Sequence, residues 1–257
     1  MDYKKTAEVL FQAEKGAYQI DRITNQFPDM TVEDAYAIQL ENISKKVLEG
    51  EKVIGLKVGL TSKAMQNLLG VNEPDYGHLT NKMLLNEGEC CKAKELIQPK
   101  VEGELAFCLK KPLKGPGVTI ADVYNAAGWV VPAIEIVDSR IKDWKIKLYD
   151  TISDNGSSAK LVLGNRMTKI SDIDMRLVGM MLEKNGELVS TGTGAEVWGN
   201  PAAAVAWLAN KLSEFNIELK EGNIILSGAV TAAVPAEAGD VFTVSFHGMG
   251  SVSVKFI

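Results

Sequence analysis

The sequence predicts an α+β fold, with a helical N-terminal portion over residues 1–50 followed by one sheet-rich domain over residues 51–257. Three observations carry this prediction. Apolar positions in the first fifty residues recur at helical spacing behind a cap at Thr31. From Lys52 onward, short apolar runs are separated by turns rich in Gly, Pro and Asn. One later segment, NPAAAVAWLANKL, has helical character of its own. A chain of 257 residues can bury a large core without disulfide or metal staples.

The elements follow in order. Thr31 with Asp34 makes a capping-box-like start, and Tyr36, Leu40, Ile43 and Val47 then fall on one helical stripe that Gly50 ends. VIGLKVGL, from Val53, reads as a buried strand with Lys57 at its centre. A lysine there is either a snorkelling edge residue or a positioned cation, and the segment alone favours the edge. Residues 61–99, which hold NEPDYGHL, read as a long turn-rich connection of the kind used for lids and binding loops.

In VEGELAFCLK the alternation sets Val101, Gly103, Leu105, Phe107 and Leu109 on one face and Glu102, Glu104, Ala106 and Cys108 on the other. After a KPLKGPG loop, Thr119 caps a short helix around ADVYNAAG that leads into WVVPAIEIVDS, an apolar strand carrying Glu135. TISDNGSSAKLVLG is small and hydroxyl-rich, compatible with backbone that approaches a ligand. Asn185-Gly186 marks a hairpin, and Asn200-Pro201 starts the late helix. The remainder reads as closely spaced strands, with no internal repeat and no low-complexity linker.

Composition excludes several functions. Lys+Arg 28 against Asp+Glu 33 gives a net charge of -5, with no basic stripe for a phosphate backbone. No apolar run approaches the roughly 20 residues that span a bilayer. Charges at Glu8, Glu14 and Lys15 interrupt any signal-peptide core, so a cytoplasmic location is expected. Cys90, Cys91 and Cys108 have no histidine at zinc-ligand spacing and read as reduced, mostly buried thiols. A Ser/His/Asp triad, or a zinc site with several imidazole ligands, would have to draw on the two histidines, His78 and His247, alone. His247 reads as structural in the HGMG turn, and His78 as a weak candidate in a loop. Acid–base chemistry would then fall to carboxylates, lysine or metal-bound water.

Glu102, Glu104 and Glu135 interrupt otherwise apolar strands. Glutamates are rarely buried unless paired, and a hard divalent cation such as Mg²⁺ or Mn²⁺ would resolve the conflict. The opposing reading places Glu102 and Glu104 on the solvent face of an edge strand, and the Glu-x-Glu spacing alone favours it.

A resemblance shifts that weighting. KVGLTSKAMQ (57–66), EPDYG (73–77), QPKVEGELAF (98–107), VVPAIEIVDSR (130–140), DTISDNGSS (150–158) and the closing AGDVFTVSFHGMGSVSVKF resemble, in order and over nearly the whole chain, the fumarylacetoacetate hydrolase superfamily. Within it they resemble the catechol meta-cleavage branch of 4-oxalocrotonate (2-oxo-3-hexenedioate) decarboxylases and the related dienoate and heptenedioate hydratases.

The resemblance implies a mixed-sheet β-roll. It implies Mg²⁺ or Mn²⁺ held by Glu102, Glu104 and Glu135, Lys57 as a cation near the substrate, and Asp75 close to the reacting carbon. Ser158 and Thr231 match regions that contact substrate oxygens. The histidine–carboxylate pair with which superfamily hydrolases activate water has no evident counterpart, which disfavours carbon–carbon hydrolysis.

The implied reaction is loss of CO₂ from 2-oxohex-3-enedioate to give 2-hydroxypenta-2,4-dienoate, and TAAVP (231–235) resembles decarboxylase members. LTSKAMQ, EPDYG, YDTISDN and NPAAAVAWLANKL also resemble hydratases, so addition of water to 2-hydroxypenta-2,4-dienoate or 2-oxohept-4-ene-1,7-dioate is the alternative. A third reading is a non-enzymatic, metal-binding partner subunit. Association as a homo-oligomer, or with the companion enzyme of the pathway, is part of the same expectation.

Overall fold

The computed structural model describes residues 1–63, 66–67 and 70–257. Helices α1 (Tyr3–Gly16), α2 (Ile23–Gln26) and α3 (Val32–Leu48) come first. Thr31 and Asp34 close the α3 capping box in both directions, satisfying two otherwise orphaned donors. The buried stripe of α3 runs through Ala35, Tyr36, Ile38, Gln39, Asn42, Ile43 and Lys46. Leu40 and Val47, expected on that stripe, are exposed. The core reaches around α3 toward Gln39 and Lys46, because these polar residues find partners there: Gln39 bonds main-chain carbonyls and Lys46 pairs with Glu14 at 2.6 Å.

Thirteen strands follow among the described residues, in two sheets. The first has the order β2-β1-β10-β5-β6-β7-β3, with β11 also pairing with β5. Its strands are β1 (Val53–Gly59), β2 (Asp75–Thr80), β3 (Leu84–Leu85), β5 (Lys100–Leu109), β6 (Ala127–Val137), β7 (Ser158–Leu163), β10 (Ile224–Leu226) and β11 (Val234–Pro235). The second has the order β4-β13-β12-β8-β9, from β4 (Cys90–Cys91), β8 (Gly179–Lys184), β9 (Glu187–Thr193), β12 (Val241–Phe246) and β13 (Gly250–Phe256). Pairing is mixed: β1–β10, β3–β7 and β4–β13 are parallel and the other pairs antiparallel.

The alternation read in β5 is what the packing shows. Val101, Leu105, Phe107 and Leu109 join the main core, and a side chain added at Gly103 would meet Met180 and Val244 of the second sheet. Ala106, on the opposite face, joins a separate small cluster with Leu79, Met83, Val131, Ala133, Leu161 and Leu226. Further helices among the described residues are α4 (Ile120–Ala126), capped by Thr119 and Asp122, α5 (Leu148–Ser153) and α6 (Pro201–Ser213), with Asn200 as cap and Pro201 in the first turn. Asn185 and Gly186 adopt positive φ in the β8–β9 turn.

Four expectations are corrected. Residues 61–99 are not one long connection, because β2, β3 and β4 lie within them and His78 sits on β2. Asp, Gly and His in DYGHLT hide the strand signal, yet β2 pairs with β1 along almost its whole length. Lys57 is not on an edge, since β1 runs between β2 and β10. Glu102 and Glu104 do not lie on an edge strand, since β5 runs between β10 and β6. The cysteines are free but unevenly placed: Cys91 is buried, Cys108 half-buried and Cys90 exposed.

The connection from β6 to β7 is held by a buried ion pair. Asp154 accepts from Arg140 Nε at 2.5 Å and from the Arg140 main-chain N–H at 3.0 Å, with both residues almost inaccessible to solvent. Asp154→Ala strips the guanidinium of that carboxylate, and urea unfolding should show a loss of about 3–5 kcal/mol.

A buried carboxylate cluster and its lysine

Strand pleating brings the three glutamates together. Glu102 and Glu104, two residues apart on β5, share a face, and the β5–β6 register sets Glu135 directly opposite Glu102. Cross-strand neighbours lie about 5 Å apart at Cβ, where like charges destabilise a sheet. One carboxylate oxygen from each of the three lies within 4.8 Å of the others. Glu104 and Glu135 are buried and Glu102 is half-buried. Glu104 accepts one hydrogen bond, from the Gly228 main-chain N–H at 2.8 Å. Both oxygens of Glu135 are buried with no hydrogen-bond partner among the described residues.

Lys57 reaches this cluster from β1. Its ammonium donates to the Gly156 carbonyl at 3.0 Å and lies 3.6 Å from Glu135 Oε2. Burial opposes the charge, but Glu135, Asp75, Glu102 and Glu104 outweigh it and hold Lys57 above the usual lysine range. Asp75 comes from β2, opposite Gly59 of β1. A Cβ at Gly59 would stand 2.1 Å from Asp75 Oδ1 and 3.2 Å from Lys57 Nζ, so only glycine leaves room for these two side chains to converge. Burial raises the Asp75 carboxyl above its usual range, Lys57 working against it.

The sequence candidates thus divide. Lys57, Asp75, Glu102, Glu104 and Glu135 meet at one place. Ser158 begins β7 beside the Gly156 turn, and Thr231 follows the strand end that contacts Glu104 through Gly228. Among the described residues the hydroxyls of both are buried and unpartnered, as is that of Ser157, which sequence reasoning passed over. Also missed were the two main-chain groups that touch the site, Gly156 C=O and Gly228 N–H. The Asn-Gly and Ser-Gly pairs in TISDNGSS and LSGAV were the available signals.

His78 points elsewhere. Its Nδ1 is 2.9 Å from Gln39 Oε1 of α3, and burial pushes its imidazole down to about 4, so it is a neutral structural residue at physiological pH. His247 lies exposed between β12 and β13.

Three carboxylates on buried strands, one with both oxygens orphaned, fit a hard divalent cation that keeps positions for water or substrate. Burial and Glu135 push Glu102 up to about 7, and burial with Glu135 and Glu102 holds Glu104 well above the carboxylate range. Both must lose protons to bind a cation, so affinity should rise with pH up to about 7 and beyond, with proton release on binding. Calorimetry of Mg²⁺ binding in buffers of different ionisation enthalpy measures that release. Binding that is independent of pH between about 5 and 8 would contradict it.

Comparison with known proteins places this geometry. The family model described as "Fumarylacetoacetate (FAA) hydrolase C-terminal" matches residues 68–257. A 2-hydroxyhexa-2,4-dienoate hydratase of Comamonas testosteroni is 48% identical over 249 residues, covering 96% of this chain and 94% of the relative. A 4-oxalocrotonate decarboxylase of Pseudomonas sp. (strain CF600) is 43% identical over 251 residues, covering 98% and 95%. Among solved structures, the 4-oxalocrotonate decarboxylase from Pseudomonas putida G7, complexed with magnesium and adipate, superposes with a TM-score of 0.97 at 41% identity. That match covers 99% of this chain and 97% of the other.

Proposed function

The chain belongs to the fumarylacetoacetate hydrolase family, and on that premise we propose that it is a divalent-metal-dependent lyase removing CO₂ from 2-oxohex-3-enedioate to give 2-hydroxypenta-2,4-dienoate. The observation that carries this reading is the buried Glu102, Glu104 and Glu135 cluster facing Lys57. A scaffold has no use for carboxylates whose burial destabilises it. The similar decarboxylase holds adipate, a six-carbon dicarboxylate with the end groups and length of the proposed substrate.

When bound by the three glutamates, Mg²⁺ or Mn²⁺ supplies a Lewis acid for a 2-oxo acid. The chain's own residues supply the rest. Loss of CO₂ sends an electron pair along the conjugated chain to the 2-oxygen, and the buried Lys57 ammonium, fixed by Gly156, stabilises the charge that gathers there. Asp75, across Gly59 from Lys57, orients the departing carboxylate. The unpartnered hydroxyls of Ser158 and Thr231 donate to substrate oxygens.

A second reading is hydration of 2-hydroxypenta-2,4-dienoate, favoured by the higher identity to a hydratase, 48% against 43%. One assay separates the two. With Mg²⁺ present, 2-oxohex-3-enedioate should release CO₂. Consumption of 2-hydroxypenta-2,4-dienoate to a 4-hydroxy-2-oxo acid, without CO₂ release from the dicarboxylate, would establish the hydratase reading instead.

Assembly as a homo-oligomer, alone or with a companion hydratase, belongs to the same proposal, as does a cytoplasmic location, where the three free cysteines stay reduced. Among the described residues, no helix is long and apolar enough to cross a membrane.

A further inference from the structure

Lys57 owes its position to a turn that no side chain of the carboxylate cluster contributes to. Asn155, Gly156 and Ser157 all adopt positive φ, at 56°, 60° and 55°. Asparagine tolerates this region better than most residues, but three such residues in succession persist only where surrounding contacts hold them. Two sets of contacts do so. On one side Asp154, immediately before the turn, is locked to Arg140, and the Ser157 carbonyl accepts from the Asp138 N–H at 2.7 Å. On the other side stands Asn155.

The Asn155 amide grips the free edge of β2. Its Oδ1 accepts from the His78 main-chain N–H at 2.7 Å, and its Nδ2 donates to the His78 carbonyl at 2.9 Å. One side chain thus imitates the pair of bonds that a neighbouring strand would make, on the outermost strand of the sheet. The Asn155 carbonyl lies so close over Gly77 that a Cβ there would stand 2.4 Å from it. Gly77 is the register partner of Lys57. The next carbonyl along, that of Gly156, is the one that receives the Lys57 ammonium.

We propose that Asn155 is the positioning residue for Lys57: by clipping the turn to the edge of β2, its side-chain amide sets the Gly156 carbonyl where it tethers the ammonium beside Glu135. This rests on the reading of Lys57 as the cation that serves turnover. The Asn155 side chain spends its hydrogen bonds on the His78 main chain, so its effect on turnover passes through Gly156.

The test uses Asn155→Gly and Asn155→Asp in the full-length, Mg²⁺-saturated protein. Glycine accepts positive φ freely and removes only the clip, so it separates backbone conformation from side-chain bonding. Asp keeps the shape and the acceptor for the His78 N–H but loses the donor to the His78 carbonyl, which guards against a glycine variant that fails to fold. In each variant that folds, kcat should fall by about 10- to 100-fold, the cost of misplacing a catalytic group by about 1 Å. KM and Mg²⁺ affinity should stay within about twofold of the wild type, a split that general loss of structure would not produce.

A second readout needs no turnover: in metal-free protein, an amine-reactive reagent followed by peptide mass spectrometry should label Lys57 faster in the variants than in the wild type. Wild-type kcat in the folded variants, with unchanged labelling, overturns the proposal. A wild-type protein that converts neither candidate substrate would sink the functional reading, while faster labelling of the variants would still support the tether.

Discussion

Glu104→Gln should abolish turnover and weaken divalent-metal binding by more than about 100-fold, a loss of about 2.7 kcal/mol or more. The substitution is nearly isosteric, and the amide oxygen can still accept from the Gly228 N–H that now bonds Glu104. The fold should therefore survive. Burial and the neighbouring glutamates already hold Glu104 well above the carboxylate range, so a neutral amide should leave the metal-free protein about as stable as the wild type. That combination, with the melting temperature held while metal affinity and turnover collapse, is what a ligand residue produces. Full activity in the variant would remove Glu104 from the metal site.

Lys57→Met should behave in the opposite way toward metal. It deletes the ammonium 3.6 Å from Glu135, so an incoming cation meets less repulsion and Mg²⁺ affinity should hold or increase. Turnover should nevertheless fall by about 10²–10³, the usual effect of deleting one preorganised group that stabilises developing negative charge. Metal-free protein should lose about 3–5 kcal/mol, because Glu135 is left buried with neither a hydrogen bond nor a nearby ammonium. Saturating Mg²⁺ should restore most of that stability without restoring kcat. Thermal melts with and without Mg²⁺, set beside steady-state kinetics, measure both. Loss of stability that Mg²⁺ does not recover, with kcat unchanged in the folded fraction, would make Lys57 a purely structural residue.

These residues show why the site was only partly legible in the sequence. The β5 alternation gave Glu102 and Glu104 a common face, because a period of two needs no knowledge of the partner strand. Whether that face is wet or buried depends on which strands flank β5, and spacing alone favoured the wrong answer. Lys57 posed the same difficulty, since β10, which buries it on one side, lies more than 160 residues further along the chain. Family resemblance supplied what local pattern could not.

Other features were written locally. The helix caps at Thr31 and Thr119 and the Asn185-Gly186 turn depend on residues three or fewer apart, and all three formed as read. Strand β2 was not read because Asp75, Gly77 and His78 have low strand propensity. Each is there for a tertiary reason: Asp75 faces Lys57, Gly77 admits the Asn155 carbonyl, and His78 meets Gln39. The α3 stripe was half misread because Gln39 and Lys46 are polar yet buried, satisfied by partners on other elements.

The central claim is that the three glutamates of β5 and β6 hold one divalent cation at the site of turnover. Anomalous scattering from a crystal grown with Mn²⁺ tests it most directly. One peak per chain, coordinated by Glu102, Glu104 and Glu135 and lost in Glu104→Gln, is the expected result. No peak among these carboxylates, in a protein that keeps full turnover in excess chelator, would contradict the account.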